Sequence, residues 1–171
     1  MKLLTIFIYL IITNLSYASE KPDIKNLVLV KSPKKYESIT FKNINKENVD
    51  LNDFNGNLIL LNFWATWCAP CKEEMPSLDA LQSNINLSNL KIFPINIGQE
   101  DKSKSELFFK ELNIQNLDIY IDAPVTLAKK FALRGVPTTI LFNKQGEEFA
   151  RIIGSIDFNN EKFINWLKTY N

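Results

Sequence analysis

Leu58-Ile59-Leu60-Leu61-Asn62-Phe63-Trp64-Ala65-Thr66-Trp67-Cys68-Ala69-Pro70-Cys71-Lys72-Glu73-Glu74-Met75-Pro76 is the stretch from which the architecture can be read. Its first seven residues form a continuous apolar run broken only by Asn62, with the length of a strand buried on both faces. From Ala69 to Gln82, Met75, Leu78 and Leu81 recur at helical spacing, with Pro76 inside the helix and expected to bend its axis. Both cysteines therefore fall where a central strand gives way to a helix. At a helix N-terminus Cys68 faces unpaired N–H groups and the positive end of the peptide dipoles, which favour thiolate over thiol. Cys68 is thus the expected nucleophile, open to an incoming disulfide, and Cys71, one turn further in and more buried, the resolving thiol. Pro70 sits in the first turn, where it costs no helix bond. An inert bridge is the competing reading, but so short a loop constrains the unfolded chain little.

Working outward, residues 19–37 read as a flexible lead-in, polar and proline-bearing, with one short apolar run at 27–30 that suits an edge strand. Ile39, Phe41, Val49 and Leu51 flank the turn-rich Asn45-Lys46-Glu47-Asn48 and predict a hairpin. Beyond the first helix, strands are expected at 90–97, 117–121, 138–142 and 147–153, the last two joined by Asn143-Lys144-Gln145-Gly146. Helices are expected at 103–112 and 125–131, and a C-terminal one capped by Asn159 or Asn160 carries Phe163, Ile164 and Leu167. Alternating strands and helices of this kind describe an α/β fold, a mixed sheet flanked by helices in one domain over 38–171.

Composition narrows the chemistry. The chain has 171 residues, 46% of them hydrophobic, enough for one core. Its 20 Lys plus Arg nearly cancel 19 Asp plus Glu, so no nucleic-acid footprint is present. Histidine is absent, which removes Ser-His-Asp and Cys-His catalysis and His-ligated metals. Two cysteines are too few for a disulfide scaffold or a four-thiolate metal site in one chain. Lys2, the apolar run 3–12 and Ser16-Tyr17-Ala18 read as a secretory signal over 1–18, with an uncleaved membrane anchor as the alternative. Either outcome places the body outside the cytoplasm, in the periplasm, where cysteines meet oxidising conditions.

The segment from Phe63 to Pro76 resembles the active-site stretch of the TlpA/ResA-like extracytoplasmic thiol–disulfide oxidoreductases of the thioredoxin superfamily. Arg134-Gly135-Val136-Pro137-Thr138-Thr139 resembles that family's cis-proline loop, and Val49-Asp50-Leu51-Asn52-Asp53-Phe54-Asn55-Gly56 its strand and short helix before the central strand. The likeness covers residues 38–170, with 90–121 similar to the family's extra strand-helix element. It implies a thioredoxin-like fold with an N-terminal hairpin and an inserted strand-helix element. It also implies a cis Val136-Pro137 bond, with the Val136 backbone free to pair with an extended substrate beside Cys68. Asn62 stands where thioredoxins carry a buried Asp, and Glu74 matches the active-site Glu of the ResA-like group, a candidate proton relay for Cys71. A solvated Glu74 complementing the helix dipole is the competing reading. Trp67 is the candidate exposed contact for substrate, and Trp64 is read as core.

What the resemblance implies for activity is reduction of protein disulfides by a monomer without a cofactor. Its substrates would be proteins with cysteine pairs, apocytochrome c or proteins of respiratory-oxidase copper-site assembly. Electrons would come from a membrane thiol relay of CcdA or DsbD type. A Cu(I)-binding assembly chaperone is a second reading, since two thiolates can hold Cu(I), but the distal His and wider cysteine spacing of Sco-like chaperones are missing. A general disulfide oxidase is a third. The Pro/Thr-before-Cys signature of thiol peroxidases is absent around Cys68.

Overall fold

The computed structural model describes residues 21–171. The N-terminal stretch expected as a signal or anchor lies outside them. No helix among the described residues is long and apolar enough to cross a membrane.

In chain order the strands are β1 (Leu27–Lys35), β2 (Thr40–Asn43), β3 (Asn48–Asp50), β4 (Leu58–Trp64), β5 (Leu90–Asn96), β6 (Tyr120–Ile121), β7 (Thr138–Phe142) and β8 (Glu147–Ile153). The helices are α1 (Ala69–Gln82), α2 (Lys102–Glu111), α3 (Thr126–Lys130) and α4 (Glu161–Lys168). The strands join in a single mixed sheet ordered β1-β8-β7-β4-β5-β6-β2-β3. At its centre β4 pairs parallel with β5, through the α1 crossover, and antiparallel with β7.

The seven residues of β4 are all buried because helices or loops cover both faces of the sheet. Side chains alternate along a strand, so the two faces sort by parity. Leu58, Leu60 and Trp64 pack with Met75 and Leu78 of α1, Phe108 and Phe109 of α2, and Phe163, Trp166 and Leu167 of α4. Ile59, Leu61 and Phe63 pack on the other side with Leu127 of α3, Phe131, Phe142 and the hairpin residues Ile39 and Phe41. Asn62 shares the parity of Leu60 and Trp64, and so faces α1. That placement brings a buried amide to the helix carrying the cysteines.

The hairpin β2–β3, the strand pair β7–β8 and the α4 cap at Asn160 form where the sequence places them. Both hairpin turns use an asparagine whose Oδ1 accepts two backbone N–H groups: Asn43 from Asn45 and Glu47, Asn143 from Gln145 and Glu147. Pro76 lies inside α1, which runs on to Gln82. Two segments differ from expectation. The lead-in is strand over Leu27–Lys35, pairing antiparallel with β8 across an irregularity between Leu29 and Lys34. As an edge strand it needs one paired side only, and it tolerates Pro33 and lysines on its open side. The strand expected at 117–121 shrinks to β6, because in its register with β5 the next rung falls on Pro94, which has no N–H to give. A second cis bond, Ala123–Pro124, precedes α3 and was not anticipated.

Candidate functional site

Cys68 is the N-cap of α1, in extended conformation, and its carbonyl accepts the first helix bond from Lys72 N–H at 3.1 Å. Its Sγ accepts from the Cys71 N–H at 3.2 Å. The two cysteines form a disulfide with their Cα atoms 5.3 Å apart. The two residues differ slightly in exposure: Cys68 retains 4% and Cys71 none. Cys68, expected to be open to an incoming disulfide, is thus largely buried in the oxidised form, because its side chain packs into the apolar cluster under α1. The neighbouring Trp67 is 68% exposed, whereas Trp64 is fully buried and stacks on Phe108 at 4.7 Å.

The Val136–Pro137 bond is cis. Val136 packs against the cluster that contains both cysteines, and its N–H and C=O make no hydrogen bond among the described residues. The loop around it is fixed on either side, by Thr138 Oγ1 donating to Gly135 C=O at 2.8 Å and by Gly154 N–H donating to Pro137 C=O at 2.9 Å.

Glu74, one turn after Cys71 on α1, is only 2% exposed. Asn62 Nδ2 donates to its Oε1 at 2.8 Å, and the Ile156 N–H donates to its Oε2 at 3.3 Å. Burial raises the Glu74 carboxyl to about 7, against these two donors, which pull it down. Glu74 also lines a groove of about 330 Å³ with Glu73, Ser77, Ser155, Ile156 and Asp157, which gives the carboxyl a polar path outward. Ser77, part of the same lining, donates to Glu74 C=O at 2.7 Å and accepts from Phe158 N–H at 3.0 Å.

Cys68, Cys71 and Glu74 thus lie at the start of α1 with Trp67 just before it, while Val136 and Pro137 form the loop before β7, Val136 packing on the apolar cluster that includes both cysteines. The partners of Glu74 escape sequence reasoning except Asn62, which stands out as the polar residue of an apolar run. Two other contacts have no local signature. Asn62 Nδ2 also donates to Thr139 Oγ1 at 2.9 Å, bridging β4 and β7. Thr66 Oγ1, two residues before Cys68, donates to Glu100 Oε1 at 2.5 Å, tying the cysteine loop to the segment before α2. That segment is tight: a Cβ on Gly98 would come within 2.8 Å of the same Glu100 oxygen.

Residues 33–147 match the model of the AhpC/TSA family. The thiol–disulfide oxidoreductase ResA of Bacillus subtilis is 28% identical over 119 residues, which are 70% of this chain and 65% of that protein. ResA of Geobacillus kaustophilus is 33% identical over 106 residues, 62% of this chain and 60% of that protein. The chain thus spans slightly less than two thirds of the length of these relatives. The crystal structure of a thiol:disulfide interchange protein of the thioredoxin family from Chlorobium tepidum superposes with a TM-score of 0.68 at 20% identity, covering 82% of this chain and 98% of that one. The eight-stranded sheet with its flanking helices is accordingly a thioredoxin fold. With the family model spanning more than half of its length, the chain belongs to the AhpC/TSA family.

Proposed function

We propose that the protein is an extracytoplasmic thiol–disulfide oxidoreductase acting as a reductant of protein disulfides in the periplasm. The observation that carries this reading is the Cys68–Cys71 disulfide at the N-terminus of α1, Cys68 slightly exposed and Cys71 fully buried, in the apolar cluster against which Val136, with unused backbone hydrogen-bonding groups, also packs. The names of the ResA relatives support it.

In the dithiol form the helix N-terminus favours the Cys68 thiolate. A substrate strand pairs with the Val136 backbone, and its apolar residues rest on Trp67. Cys68 Sγ attacks one substrate sulfur. The substrate S–S bond breaks, a mixed disulfide forms, and the released substrate thiolate takes up a proton. Glu74 then accepts the Cys71 proton, and Cys71 Sγ attacks Cys68 Sγ. This forms the intramolecular disulfide and releases the second substrate thiol, so that two electrons have passed to the substrate. Glu74 suits the transfer because its carboxyl titrates near neutrality and its groove leads to solvent. Re-reduction requires a dithiol donor, for which we propose a membrane thiol relay of CcdA or DsbD type. The substrates we propose are the cysteine pairs of apocytochrome c or of copper-site assembly proteins.

The test is reduction of insulin disulfides by the purified protein with dithiothreitol as electron source, run beside a Cu(I) titration. Accelerated precipitation of the insulin B chain is expected. Absence of turnover together with tight stoichiometric copper binding would overturn the reading in favour of a copper carrier.

A further inference from the structure

Beside the loop 132–137 lies a cleft of about 500 Å³ whose charged lining is entirely cationic: Lys34 from β1, Lys130 from α3, Arg134 from the loop itself and Arg151 from β8. Arg151 is the only one of the four with a carboxylate partner among the described residues. Its Nη2 donates to Glu148 Oε2 at 3.0 Å, and Tyr36 OH donates to the same oxygen at 2.5 Å, so this pair forms a neutralised floor. The other three charges are not neutralised. The Lys34 ammonium sits 4.5 Å over the Tyr36 ring, Lys130 donates to the Ser38 carbonyl, and Arg134 has no partner among the described residues. In a chain whose total charge is nearly balanced, three uncompensated cations around one concavity are a local positive field.

Position gives that field its meaning. Arg134 is two residues from Val136, and the lining takes in Leu133 and Arg134 before the cis-proline bond and Thr138 just after it. An extended chain advances about 3.3 Å per residue, so a segment paired with Val136 passes Arg134 within a few residues of its reacting cysteine. We propose that this cleft receives acidic side chains of the partner polypeptide, close in sequence to the cysteine that meets Cys68. This rests on the oxidoreductase reading, because it takes the Val136 backbone as the place where the partner's chain pairs. The same adjacency favours a polypeptide over an anionic lipid surface. Lys34, Lys130 and Arg134 then choose among partners by charge and speed the encounter.

The experiment compares three disulfide-bonded peptides that differ only in the residues flanking the cysteines, Asp/Glu, Ser or Lys. They are reduced by the full-length protein and by its Lys130→Glu/Arg134→Glu variant. At low ionic strength kcat/KM for the acidic peptide should exceed that for the lysine peptide about tenfold, and the ratio should shrink in 0.5 M salt. In the variant the ratio should fall to unity or below. Equal rates for acidic and lysine peptides, or a preference that survives in the variant, would overturn the proposal. Failure to reduce any of the three peptides or insulin would instead overturn the oxidoreductase reading. Fluorescence anisotropy with serine-for-cysteine peptides then decides the cleft: tighter binding of the acidic peptide, lost in the variant, supports it, and equal binding of both overturns it. Binding to phosphatidylglycerol vesicles in preference to the acidic peptide would also overturn it.

Discussion

The side-chain amide of Asn62 on β4 and the carboxyl of Glu74 on α1 meet at 2.8 Å in the interior, with the amide nitrogen held by Thr139 Oγ1 at 2.9 Å as well. A buried carboxyl with two donors is a compromise: the donors favour its charged form, and burial penalises that form more strongly. The folded-state value near 7 lies above the ordinary 4.5, so the folded protein holds this proton more tightly than the unfolded chain. Whatever Glu74 contributes to stability is therefore complete below pH 4.5 and is lost as pH rises toward 7. The loss is about 3 kcal/mol at a plateau above that, since one pH unit is worth about 1.4 kcal/mol. Glu74→Gln removes the titration. Urea unfolding of the oxidised protein at pH 4, 6 and 8 should show the variant gaining on the wild type across this window, and a constant difference would mean a solvated carboxylate.

In the proposed mechanism the same pair also sets the kinetics. Glu74→Gln should slow resolution of the mixed disulfide about 100-fold near neutral pH, in line with a lost general base. Asn62→Leu removes one donor to the carboxylate, so the inflection of the rate profile should move above pH 7 while the wild-type mechanism persists. Stopped-flow tryptophan fluorescence against pH reads both variants, and profiles that coincide with the wild type would remove the proton-relay role.

The different roles proposed for the two sulfurs predict unequal variants. Cys68→Ser should abolish turnover, and Cys71→Ser should accumulate a mixed disulfide with the natural partner. Mass spectrometry of the trapped species identifies the partner and with it the pathway. Accumulation with Cys68→Ser alone would exchange the roles assigned to the two cysteines.

Trp67, the residue before Cys68, offers a large exposed ring. Trp67→Ala should lower kcat/KM for a protein substrate about tenfold, chiefly through KM, and leave the urea midpoint within error, because an exposed side chain contributes little to the core. A large change in stability with unchanged KM would make it a packing residue.

The strand-helix junction was legible because β4 carries seven buried residues in a row and α1 follows with a 3.6-residue period, two signals that need no distant partner. The cis-proline loop was legible only through likeness to a family. The edge strand read at 27–30 runs on to Lys35, and that extension is hidden in the sequence because Lys31, Pro33, Lys34 and Lys35 interrupt every apolar pattern while β8 alone supplies the ladder that orders them. Contacts such as Asn62 with Thr139 or Thr66 with Glu100 depend on which strands and loops become neighbours, and periodicity carries no information about that. The basic cleft is the extreme case. Lys34 is remote in sequence from Lys130, Arg134 and Arg151, and the β1–β8–β7 order brings it to their hollow.

In the proposed cycle Cys68 alone meets both partners. If the donor that recharges the enzyme and the client it serves must both strike Cys68, they use one turnstile in alternation and never occupy it together. A surplus of either would then jam the other's turn, so that throughput peaks when the two supplies are matched rather than when one is abundant.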